Sequence, residues 1–282
     1  MWLSEKALVF VDTRSAALAV YKEGFSGRHL ERFAFERFGS RSAQATLFSD
    51  VLAGSADAVK HLARDLKAPL RKATLLLPLG ASFPSIVEAS ASRPAPETEI
   101  EEADLVRFRL APLLPFPIAL SEVRTERSAS IRRGAVLAQA ILKTTIAEGE
   151  KVMSGLGFNG PHVTSALSAA LRGLPPRPGT VDLVFGDSAC AIAVRDAEGA
   201  IDAIHLRLLV LGDDRAQRSI DEALRATTDA REIRVLGEDA AILRGKAKHV
   251  VVHPAFEEPA LRGSADPQQF PFLSVFHEGG AK

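Results

Sequence analysis

Hydrophobic and polar positions near the beginning of the chain follow the pattern of three strands, one long helix and a fourth strand. Apolar runs at Ala7–Val11 and Ala17–Tyr21 predict two strands, and the alternation within Leu30–Phe38 predicts a third that is half buried. Apolar positions three and four residues apart follow around residues 43–67, as in a helix laid against a sheet. The almost wholly apolar run Ala73–Leu77 is typical of a central strand covered on both faces.

The same order of elements returns near the end of the chain. Strands are predicted at Val181–Phe185, Ala189–Val194 and Ile201–Leu209, followed by a helix near 214–227 and a strand at Ile233–Leu236. An internal duplication of this kind determines the whole fold. Three strands, a helix and a strand form the ribonuclease-H-like unit, and two such units facing each other make an actin-like fold. We therefore predict an α/β protein with an actin-like fold of two lobes.

A segment that does not fit the repeat follows the fourth strand. Strands are predicted at Ile86–Ala89 and Ser121–Arg127. Between them, Glu97–Leu110 predicts a helix with glutamates in its first turn, where they complement the helix dipole. Prolines beyond residue 110 end this helix. We interpret the segment as a small α+β subdomain inserted in the first lobe.

The elements after this segment set the predicted boundaries. Val136–Ile141 predicts one more strand, and Thr145 and Glu148 have the spacing of a capping box at the start of the next helix. A further helix is predicted at Val163–Arg172, before the proline-rich turn Pro175–Gly179. The predicted organisation is a first lobe of residues 1–162, with the inserted subdomain at about 84–158, and a second lobe of residues 163–282.

Composition supports two compact units and argues against some functions. The 282 residues exceed the usual size of one domain, and a hydrophobic content of 46% is ample for two cores. Thirty-five basic residues balance thirty-five acidic ones, which argues against a nucleic-acid binder. The single cysteine, Cys190, lies in an apolar run and is interpreted as a small buried hydrophobe.

No segment of the sequence has the pattern of a targeting or membrane-spanning sequence. The first residues lack the apolar core and the cleavage site of a signal peptide. The longest candidate span, Leu105–Leu120, is short and interrupted by arginines and prolines. We expect a soluble, cytoplasmic protein.

The motifs of the chain, taken in order, resemble one protein family. The chain has a proline-phenylalanine-proline turn at Leu114–Ile118, before the strand Glu122–Thr125. This turn resembles one in a protein family that includes the type IV pilus assembly protein PilM and the cytoplasmic part of the type II secretion protein GspL. Gly134–Leu142, with a helix that closes at Gly155-Leu156, resembles the strand, helix and Gly-Leu ending of that family. His253-Pro254 resembles its last strand and proline. The resemblance covers nearly the whole chain at low identity.

The resemblance implies where a nucleotide would bind. Actin-like ATPases cradle phosphates between two hairpin turns, in which glycines admit the phosphates and carboxylates organise magnesium. In the first turn Asp12 and Ser15 fit this pattern, with Asp12 as an outer-sphere magnesium partner. Arg14, however, stands where the glycine of the family would be.

The second and third nucleotide signatures also depart from the pattern of the family. Gly186 is present in the second turn, but Phe185 stands at the carboxylate position and Asp187 follows the glycine. The Gly-Gly turn against adenosine is reduced to Gly237, which two acidic residues follow. These departures predict a degenerate nucleotide site. Its candidate contacts are Asp12, Ser15, Gly186, Asp187 and Gly237.

Other constellations give no pattern of a known chemistry. His249 and His253 have no cysteine or carboxylate partner at useful spacing, so no metal site is predicted. The nucleophile elbow of a hydrolase is absent from the sequence. A sugar-kinase-like enzyme is the last hypothesis in rank, because no carboxylate can be assigned as its catalytic base.

The resemblance implies a scaffold function. In that family the inserted subdomain and the neighbouring lobe bind the cytoplasmic tail of a membrane-anchored partner, PilN in pilus systems, and the assembly contacts the secretion ATPase. We expect a PilM-like cytoplasmic scaffold, peripheral to the inner membrane through its partners, with residues 84–130 carrying partner binding and with no cofactor or nucleic-acid partner. The alternative is an actin-like ATPase that holds Mg·ATP through Asp12 and Asp187 and whose nucleotide state switches partner binding.

Overall fold

Two five-stranded sheets and one three-stranded sheet organise the protein. A computed structural model describes residues 4–13, 15–24, 27–37, 48–71, 73–89, 99–128, 130–172, 174–186, 189–208, 232–237, 250–252, 270, 272–273 and 276. Up to residue 172 the elements are β1 (Glu5–Val11), β2 (Ser15–Gly24), β3 (Gly27–Arg37), α1 (Phe48–Asp65), β4 (Ala73–Leu77), β5 (Phe83–Glu88), α2 (Glu99–Leu110), β6 (Ser121–Glu126), β7 (Ala135–Leu142), α3 (Lys143–Gly155), β8 (His162–Ser165) and α4 (Ala166–Arg172). The later strands are β9 (Thr180–Phe185), β10 (Ala189–Arg195), β11 (Ile201–Leu208), β12 (Glu232–Leu236) and β13 (Val250–Val252).

The two five-stranded sheets have the same topology. The first has the strand order β3-β2-β1-β4-β8, and the second has β11-β10-β9-β12-β13. In each sheet the first three strands form antiparallel pairs, and the last two lie parallel to the first strand. Val9 faces Leu18 across the first hairpin, as Leu183 faces Ile192 across the second. The duplication predicted from the sequence is confirmed.

The first strand of each repeat is central in its sheet and buried, as its apolar sequence predicts. Residues 7–11 of β1 and the whole of β9 are buried. Successive side chains of β1 point to opposite faces of the sheet. Val9 packs in a core with Leu62 of α1 and Met153 of α3, whereas Phe10 packs in a second core on the other face. The apolar residues 7–11 of β1 suit a strand that is buried on both faces. In β9 the buried Asp182 departs from this pattern and pairs with two buried arginines.

Aromatic residues near the end of the chain cover this second face of the first sheet. The buried residues are Phe270, Phe272, Leu273 and Phe276. The ring of Phe272 lies 5.0 Å from that of Phe10, and the ring of Phe276 lies 5.5 Å from that of Tyr21. The sequence-based division assigned residues 163–282 to the second lobe. The structure corrects this division, because these four residues belong to the core of the first lobe.

The three-stranded sheet, with the order β5-β7-β6, forms the inserted subdomain together with α2. Val106 and Leu110 of α2 are fully buried against Val136 and Ala138 of β7. Helix α3 packs on α1 instead and contributes to the first core. The subdomain therefore ends with β7 at Leu142, although the segment predicted for it extended to about residue 158.

The inserted subdomain also contacts the second lobe. Ile131 forms a parallel bridge with Ile201, and the N–H of Ile201 donates to the carbonyl of Ser130 at 2.7 Å. The guanidinium Nε of Arg132 lies 3.3 Å from the carboxylate of Asp202. Strands β5 and β11 pack against each other beside this bridge. The subdomain is therefore held by both lobes.

Two predicted local features are wrong. The helix predicted at Val163–Arg172 starts as a strand, because β8 pairs with β4 through Ser165 and α4 begins only at Ala166. Val163 is β-branched and fills the first core, which favours the strand. Helix α3 begins at Lys143 without a side-chain cap, so Thr145 and Glu148 do not form a capping box. The helix predicted near 214–227 lies outside the described residues, and no helix in the described ranges could span a membrane.

Candidate functional site

The turn between β1 and β2 holds Asp12 in a buried position. The N–H of Asp12 donates to the carbonyl of Ser15 at 2.8 Å and closes a tight hairpin. The N–H of Thr13 donates to Oδ1 of Asp12 at 2.8 Å. Asp12 itself is only 2% exposed. One carboxylate oxygen therefore caps its own turn. Arg14 of this turn lies outside the described residues.

The turn between β9 and β10 repeats this geometry at the equivalent place in the second lobe. The N–H of Gly186 donates to the carbonyl of Ala189 at 2.8 Å. Phe185, which precedes the glycine, is fully buried and provides no charge to the turn. Asp187 lies outside the described residues, so its role in nucleotide binding stays a prediction.

Gly237 directly follows β12 and lies behind the second turn. Its φ of +111° is in the region that favours glycine. A Cβ at this position would stand 2.3 Å from the carbonyl oxygen of Phe185. The close approach of two backbone segments therefore accounts for the glycine, whether or not a nucleotide binds nearby. The two acidic residues after Gly237 lie outside the described residues.

The two turns meet where the lobes adjoin. Oδ2 of Asp12 lies 3.2 Å from the position that a Cβ on Gly186 would take, and a methyl carbon of Leu79 lies 3.4 Å from it. Leu79 belongs to the 3-10 turn Leu79–Ala81 that follows β4, and it is buried. The structure thus brings Asp12 and Gly186 together, with Ser15 in the same turn as Asp12 and Gly237 behind Phe185. Their assignment as nucleotide contacts stays a prediction.

A groove of about 730 Å³ lies between the first sheet and the inserted subdomain. Its walls come from β4 and β8 of the first sheet, from β6 and β7 of the subdomain, and from α4. In the described sheets, β8 and β6 are both edge strands. An edge strand leaves one row of backbone N–H and C=O groups without a neighbouring strand. Each of the two sheets therefore presents an edge strand to the groove, β8 from the first sheet and β6 from the subdomain.

Charged side chains in the groove largely offset one another. The Nε atom of Arg124 donates to Glu122 at 2.8 Å, and that of Arg172 donates to Glu126 at 2.7 Å. Burial lowers the pKa of His162, and the nearby cation of Arg124 acts in the same direction. The imidazole of His162 is therefore neutral at pH 7. The groove is polar but carries little net charge.

Two buried polar atoms of the groove have no hydrogen-bond partner in the described part of the chain, namely Oε1 of Gln139 and Nη1 of Arg124. Gln139 is only 4% exposed, and its Nε2 donates to Oγ of Ser168 at 2.5 Å. Gln139 is missing from the residues predicted for the site. A signal was available, because Gln139 is the one polar residue in the otherwise apolar sequence of β7.

A cluster of three charged side chains is buried in the core of the second lobe. The carboxylate of Asp182 accepts hydrogen bonds from Nε of Arg195 and Nε of Arg234, each at 2.6 Å. Arg195 also donates to the carbonyl of Gly199 at 2.8 Å, and Arg234 to that of Pro175 at 2.6 Å. Burial lowers the pKa of Arg195, although the Asp182 carboxylate opposes the shift. The bond to Pro175 fastens the segment before β9 to the second sheet, and the bond to Gly199 holds the turn between β10 and β11, which gives the cluster a structural role.

Two facing lobes of one repeated topology, with a subdomain inserted in the first, define a protein of the actin-like ATPase fold. Among solved structures, the chain is similar to the "PilM-PilN type IV pilus biogenesis complex", with a TM-score of 0.62 and 17% identity over 100% of both chains. It is also similar to a Bacteroides thetaiotaomicron protein with an actin-like ATPase fold and unknown function, with a TM-score of 0.54 and 9% identity over 86% of each chain. No protein-family model matches the sequence, and no curated protein matches it.

A third similar structure belongs to a secretion system. The cytoplasmic domain of EpsL, an inner-membrane component of the type II secretion system of Vibrio cholerae, matches with a TM-score of 0.50 and 8% identity. The match covers 96% of this chain and 93% of that domain. At such identities the likeness shows the fold alone. The actin-like fold predicted from the sequence is confirmed.

Proposed function

We propose that this protein is a PilM-like cytoplasmic scaffold of a type IV pilus or type II secretion assembly platform at the inner membrane. In this proposal it binds the cytoplasmic tail of a membrane-anchored, PilN-like protein, and the assembly contacts the secretion ATPase. The observation that carries the proposal is the groove of about 730 Å³ between the first sheet and the inserted subdomain. Similarity to a structure described as a PilM-PilN complex supports the class of partner.

The walls of the groove suit an extended peptide. A segment that enters between β6 and β8 meets an edge strand on each side, and backbone hydrogen bonds to an edge strand are a common way to bind a peptide. The paired charges of Arg124 with Glu122 and of Arg172 with Glu126 leave little net field in the groove. The tail is therefore expected to bind through its backbone and through uncharged side chains.

The contact between the two turns supports a crevice that no longer takes a nucleotide. Phosphates of an actin-like ATPase lie between these turns, but here Asp12 is in contact distance of Gly186. A phosphate beside Gly186 would face the carboxylate of Asp12, and the like charges would repel each other. Phe185, at the position of a magnesium-organising carboxylate in the related family, is fully buried and uncharged.

The inserted subdomain supports a scaffold rather than a switch. A nucleotide switch of this fold requires the lobes to rotate relative to each other. Here the bridge between Ile131 and Ile201 and the ion pair between Arg132 and Asp202 tie the subdomain to the second lobe. The same subdomain forms one wall of the groove on the first lobe. Rotation of the lobes would strain these contacts, so the groove is expected to keep one shape.

Isothermal titration with a synthetic peptide tests the proposal. The peptide has the sequence of the cytoplasmic tail of the PilN-like protein from the same organism. Thr164 of β8 lines the groove on the same strand face as His162, whereas Thr144 of α3 is exposed outside the groove. Thr164→Trp is expected to fill the groove and to weaken binding at least tenfold, while the matched variant Thr144→Trp binds like the wild type. Absence of binding by the wild type, or equal binding by Thr164→Trp, would overturn the proposal.

A further inference from the structure

Three of the four large apolar side chains that are exposed in the described part of the chain lie between residues 108 and 120 of the inserted subdomain. Phe108 of α2 is 78% exposed, Leu113 is 62% exposed and Leu120 is 56% exposed. The fourth, Leu70, lies after α1 in the first lobe. Single exposed apolar residues are ordinary on a protein surface, but several in one short segment commonly mark an interaction site.

The segment that follows α2 buries one apolar side and exposes another. Residues 110–120 contain no side chain that is charged or that forms hydrogen bonds. Leu114, Phe116 and Ile118 pack against the core of the subdomain, which holds the segment in place. The exposed residues form an apolar stripe, which consists of Phe108, Leu113, Pro115, Pro117, Ala119 and Leu120.

The backbone of this segment has few polar groups left for a partner. Three of its residues are prolines, which have no N–H to donate. Four of its carbonyls accept hydrogen bonds within the protein, namely those of Ala111, Pro117, Ile118 and Ala119. A protein interface usually contains about one hydrogen bond per 100–200 Å². A lipid environment instead favours a backbone whose polar groups are already satisfied, so the segment suits lipid better than protein.

Two cations lie beside the apolar stripe. Arg107 directly precedes Phe108 and is exposed, and Nζ of Lys143 donates to a carbonyl of the stripe at 2.9 Å. Within the described ranges, neither cation forms an ion pair with a carboxylate. The exposed acidic residues of α2, Glu101 and Asp104, precede Arg107 along the helix and lie farther from the proline-rich segment. Cations at the border of an apolar surface attract the anionic headgroups of a bilayer.

We propose that the apolar stripe, Arg107 and Lys143 contact the surface of an anionic phospholipid bilayer. The side chains of Phe108, Leu113 and Leu120 enter the boundary between headgroups and acyl chains, and the two cations contact lipid phosphates. Three apolar side chains and two cations give weak, reversible binding of the kind that a single lipid anchor provides. The inference goes beyond the proposed function, because this contact needs no partner protein.

The proposed membrane contact lies on the opposite side of the three-stranded sheet from the groove. Val136 and Ala138 of β7 pack in the core that α2 and the buried side of the segment share, whereas Gln139 of the same strand lines the groove. Successive side chains of a strand point to opposite faces of a sheet. Contact with a bilayer and binding of a peptide in the groove therefore use different surfaces and are tested separately.

Cosedimentation with vesicles tests the proposal on the purified full chain, without a partner protein. One set of vesicles contains equal parts of phosphatidylglycerol and phosphatidylethanolamine, and the other contains phosphatidylcholine alone. The wild type is expected to bind the anionic vesicles about tenfold more tightly, because each cation near an anionic surface increases the affinity severalfold. Absence of binding to the anionic vesicles at low ionic strength would overturn the proposal.

Variants of exposed residues separate lipid binding from folding. Phe108→Ser and Leu113→Ser are each expected to weaken binding to anionic vesicles about tenfold, because each removes a large apolar side chain from the lipid. Leu70→Ser is the matched control, because Leu70 is exposed on the first lobe, and it is expected to bind like the wild type. All melting temperatures are expected within a few degrees of the wild type. Equal binding by the wild type, Phe108→Ser and Leu113→Ser would contradict the proposal.

Variants of the two cations test the electrostatic part of the contact. Arg107→Gln and Lys143→Gln are each expected to reduce the preference for anionic vesicles severalfold. Arg64→Gln is the matched control, because the side chain of Arg64 is 74% exposed on α1. An equal loss of preference in all three variants would show a general effect of net charge and would overturn the assignment of Arg107 and Lys143.

Tryptophan fluorescence gives an independent readout of insertion. Trp2, the single tryptophan of the chain, is replaced by Phe, and Phe108→Trp is added. Its emission is expected to shift to shorter wavelength with anionic vesicles, whereas that of Leu70→Trp in the same background is expected to stay unchanged. Absence of a shift for Phe108→Trp would overturn insertion. A self-association that Phe108→Ser abolishes, without binding to vesicles, would assign the stripe to a second copy of the chain instead.

The groove variant Thr164→Trp distinguishes this inference from the proposed function. It is expected to bind vesicles like the wild type, because Thr164 lines the groove on the other side of the subdomain sheet. Loss of vesicle binding in Thr164→Trp would show that the lipid contact involves the groove and would overturn the assignment to the stripe. A failed titration with the tail peptide would overturn the scaffold proposal and leave the vesicle result in force.

Discussion

Oδ2 of Asp12 lies 3.2 Å from the place where a Cβ on Gly186 would stand. Two turns from opposite lobes are thus in contact at the point where an actin-like ATPase holds phosphates. The other oxygen of the carboxylate accepts the hydrogen bond from the N–H of Thr13. Asp12 therefore has a structural explanation as the cap of its turn, independent of magnesium. The scaffold proposal and the ATPase alternative make opposite predictions for nucleotide binding between these two turns.

A thermal melt with saturating Mg·ATP is expected to leave the melting temperature unchanged. The scaffold proposal places no phosphate between the two turns, where Oδ2 of Asp12 lies 3.2 Å from the position of a Cβ on Gly186. A nucleotide at a hundredfold excess over its Kd would stabilise the native state by about 2.7 kcal/mol. For a chain of this size that corresponds to a rise of several degrees, which differential scanning fluorimetry detects easily.

Asp12→Ala provides the control for this melt. The variant loses the cap on the N–H of Thr13 and is expected to be less stable by about 1 kcal/mol without any ligand. A clear rise of the wild-type melting temperature with Mg·ATP that is absent in Asp12→Ala would contradict the scaffold proposal. It would favour an ATPase whose nucleotide state controls partner binding.

Gly237→Ala is expected to destabilise the protein strongly. The residue has a φ of +111°, and its Cβ would stand 2.3 Å from the carbonyl oxygen of Phe185. Backbone strain and overpacking together are expected to cost about 2–6 kcal/mol. Gly160→Ala is the matched control, because Gly160 also has a positive φ but no atom within 4 Å of the added Cβ. Its cost is expected near 1–2 kcal/mol, the strain alone.

Urea denaturation of the two glycine variants measures this difference. Equal destabilisation of Gly237→Ala and Gly160→Ala would show that the end of β12 can move away from Phe185. The close approach would then not explain the glycine, and a ligand contact would become the better reason for its presence.

The fold could be predicted from the sequence because its strongest signals are local and repeated. Ala73–Leu77 is an almost wholly apolar run, and Ile233–Leu236 is apolar except for Arg234. The structure places both beside the first strand of their repeat. The error at Val163–Arg172 has a tertiary cause. His162–Ser165 pairs with β4 along the first sheet, and this long-range pairing outweighs the local helical pattern that continues into α4.

The groove could not be predicted because it depends on the distance between elements remote in sequence. Tyr21, Arg124 and His162 line one cavity, although more than a hundred residues separate the first from the second. Phe270 lies in the core of the first lobe although it is near the end of the chain. No local sequence pattern shows that this segment packs against strands from the beginning of the chain. Polar residues inside apolar strands, such as Gln139, are the signal of such sites that a sequence does provide.

Acidification is expected to destabilise the protein partly through His162. Burial lowers the pKa of His162 in the folded protein below the ordinary value of 6.5, with Arg124 acting in the same direction. The unfolded chain then binds the proton more tightly, so this contribution to stability is present above pH 6.5 and is lost as the pH falls through the folded pKa. His162→Asn removes the titrating group and is expected to lose less stability than the wild type between pH 7.5 and pH 5.5.

Urea midpoints of the wild type and His162→Asn at these two values of pH measure the difference. The carboxylates titrate in both proteins, so their effect cancels in the comparison. A larger loss of stability for His162→Asn than for the wild type would mean that the folded state favours protonated His162. Glu122 and Glu150, which raise the pKa, would then outweigh burial and Arg124.

Asp182→Asn is expected to destabilise the second lobe more than any surface charge variant. Asp182 is the carboxylate between Arg195 and Arg234, and all three side chains are fully buried. The variant keeps the shape but leaves two buried cations without a counter-charge, at a cost of about 3–5 kcal/mol. Asp202→Asn is the control, because Asp202 pairs with Arg132 at 3.3 Å on a surface where its side chain is 46% exposed. Its cost is expected below about 1 kcal/mol.

A triple variant distinguishes the net contribution of the charge cluster to the free energy of unfolding from the cost of removing one charge and leaving the others unpaired. Asp182→Leu, Arg195→Met and Arg234→Met together remove all three charges and replace them with apolar side chains of similar length. A buried ionic cluster often stabilises no more than such a replacement does. Arg234 also keeps one guanidinium nitrogen without a partner among the described residues, which the triple variant eliminates. Urea denaturation is therefore expected to find the triple variant more stable than Asp182→Asn. The opposite order would show that the bonds to Gly199 and Pro175 carry the stability, because only the triple variant removes them.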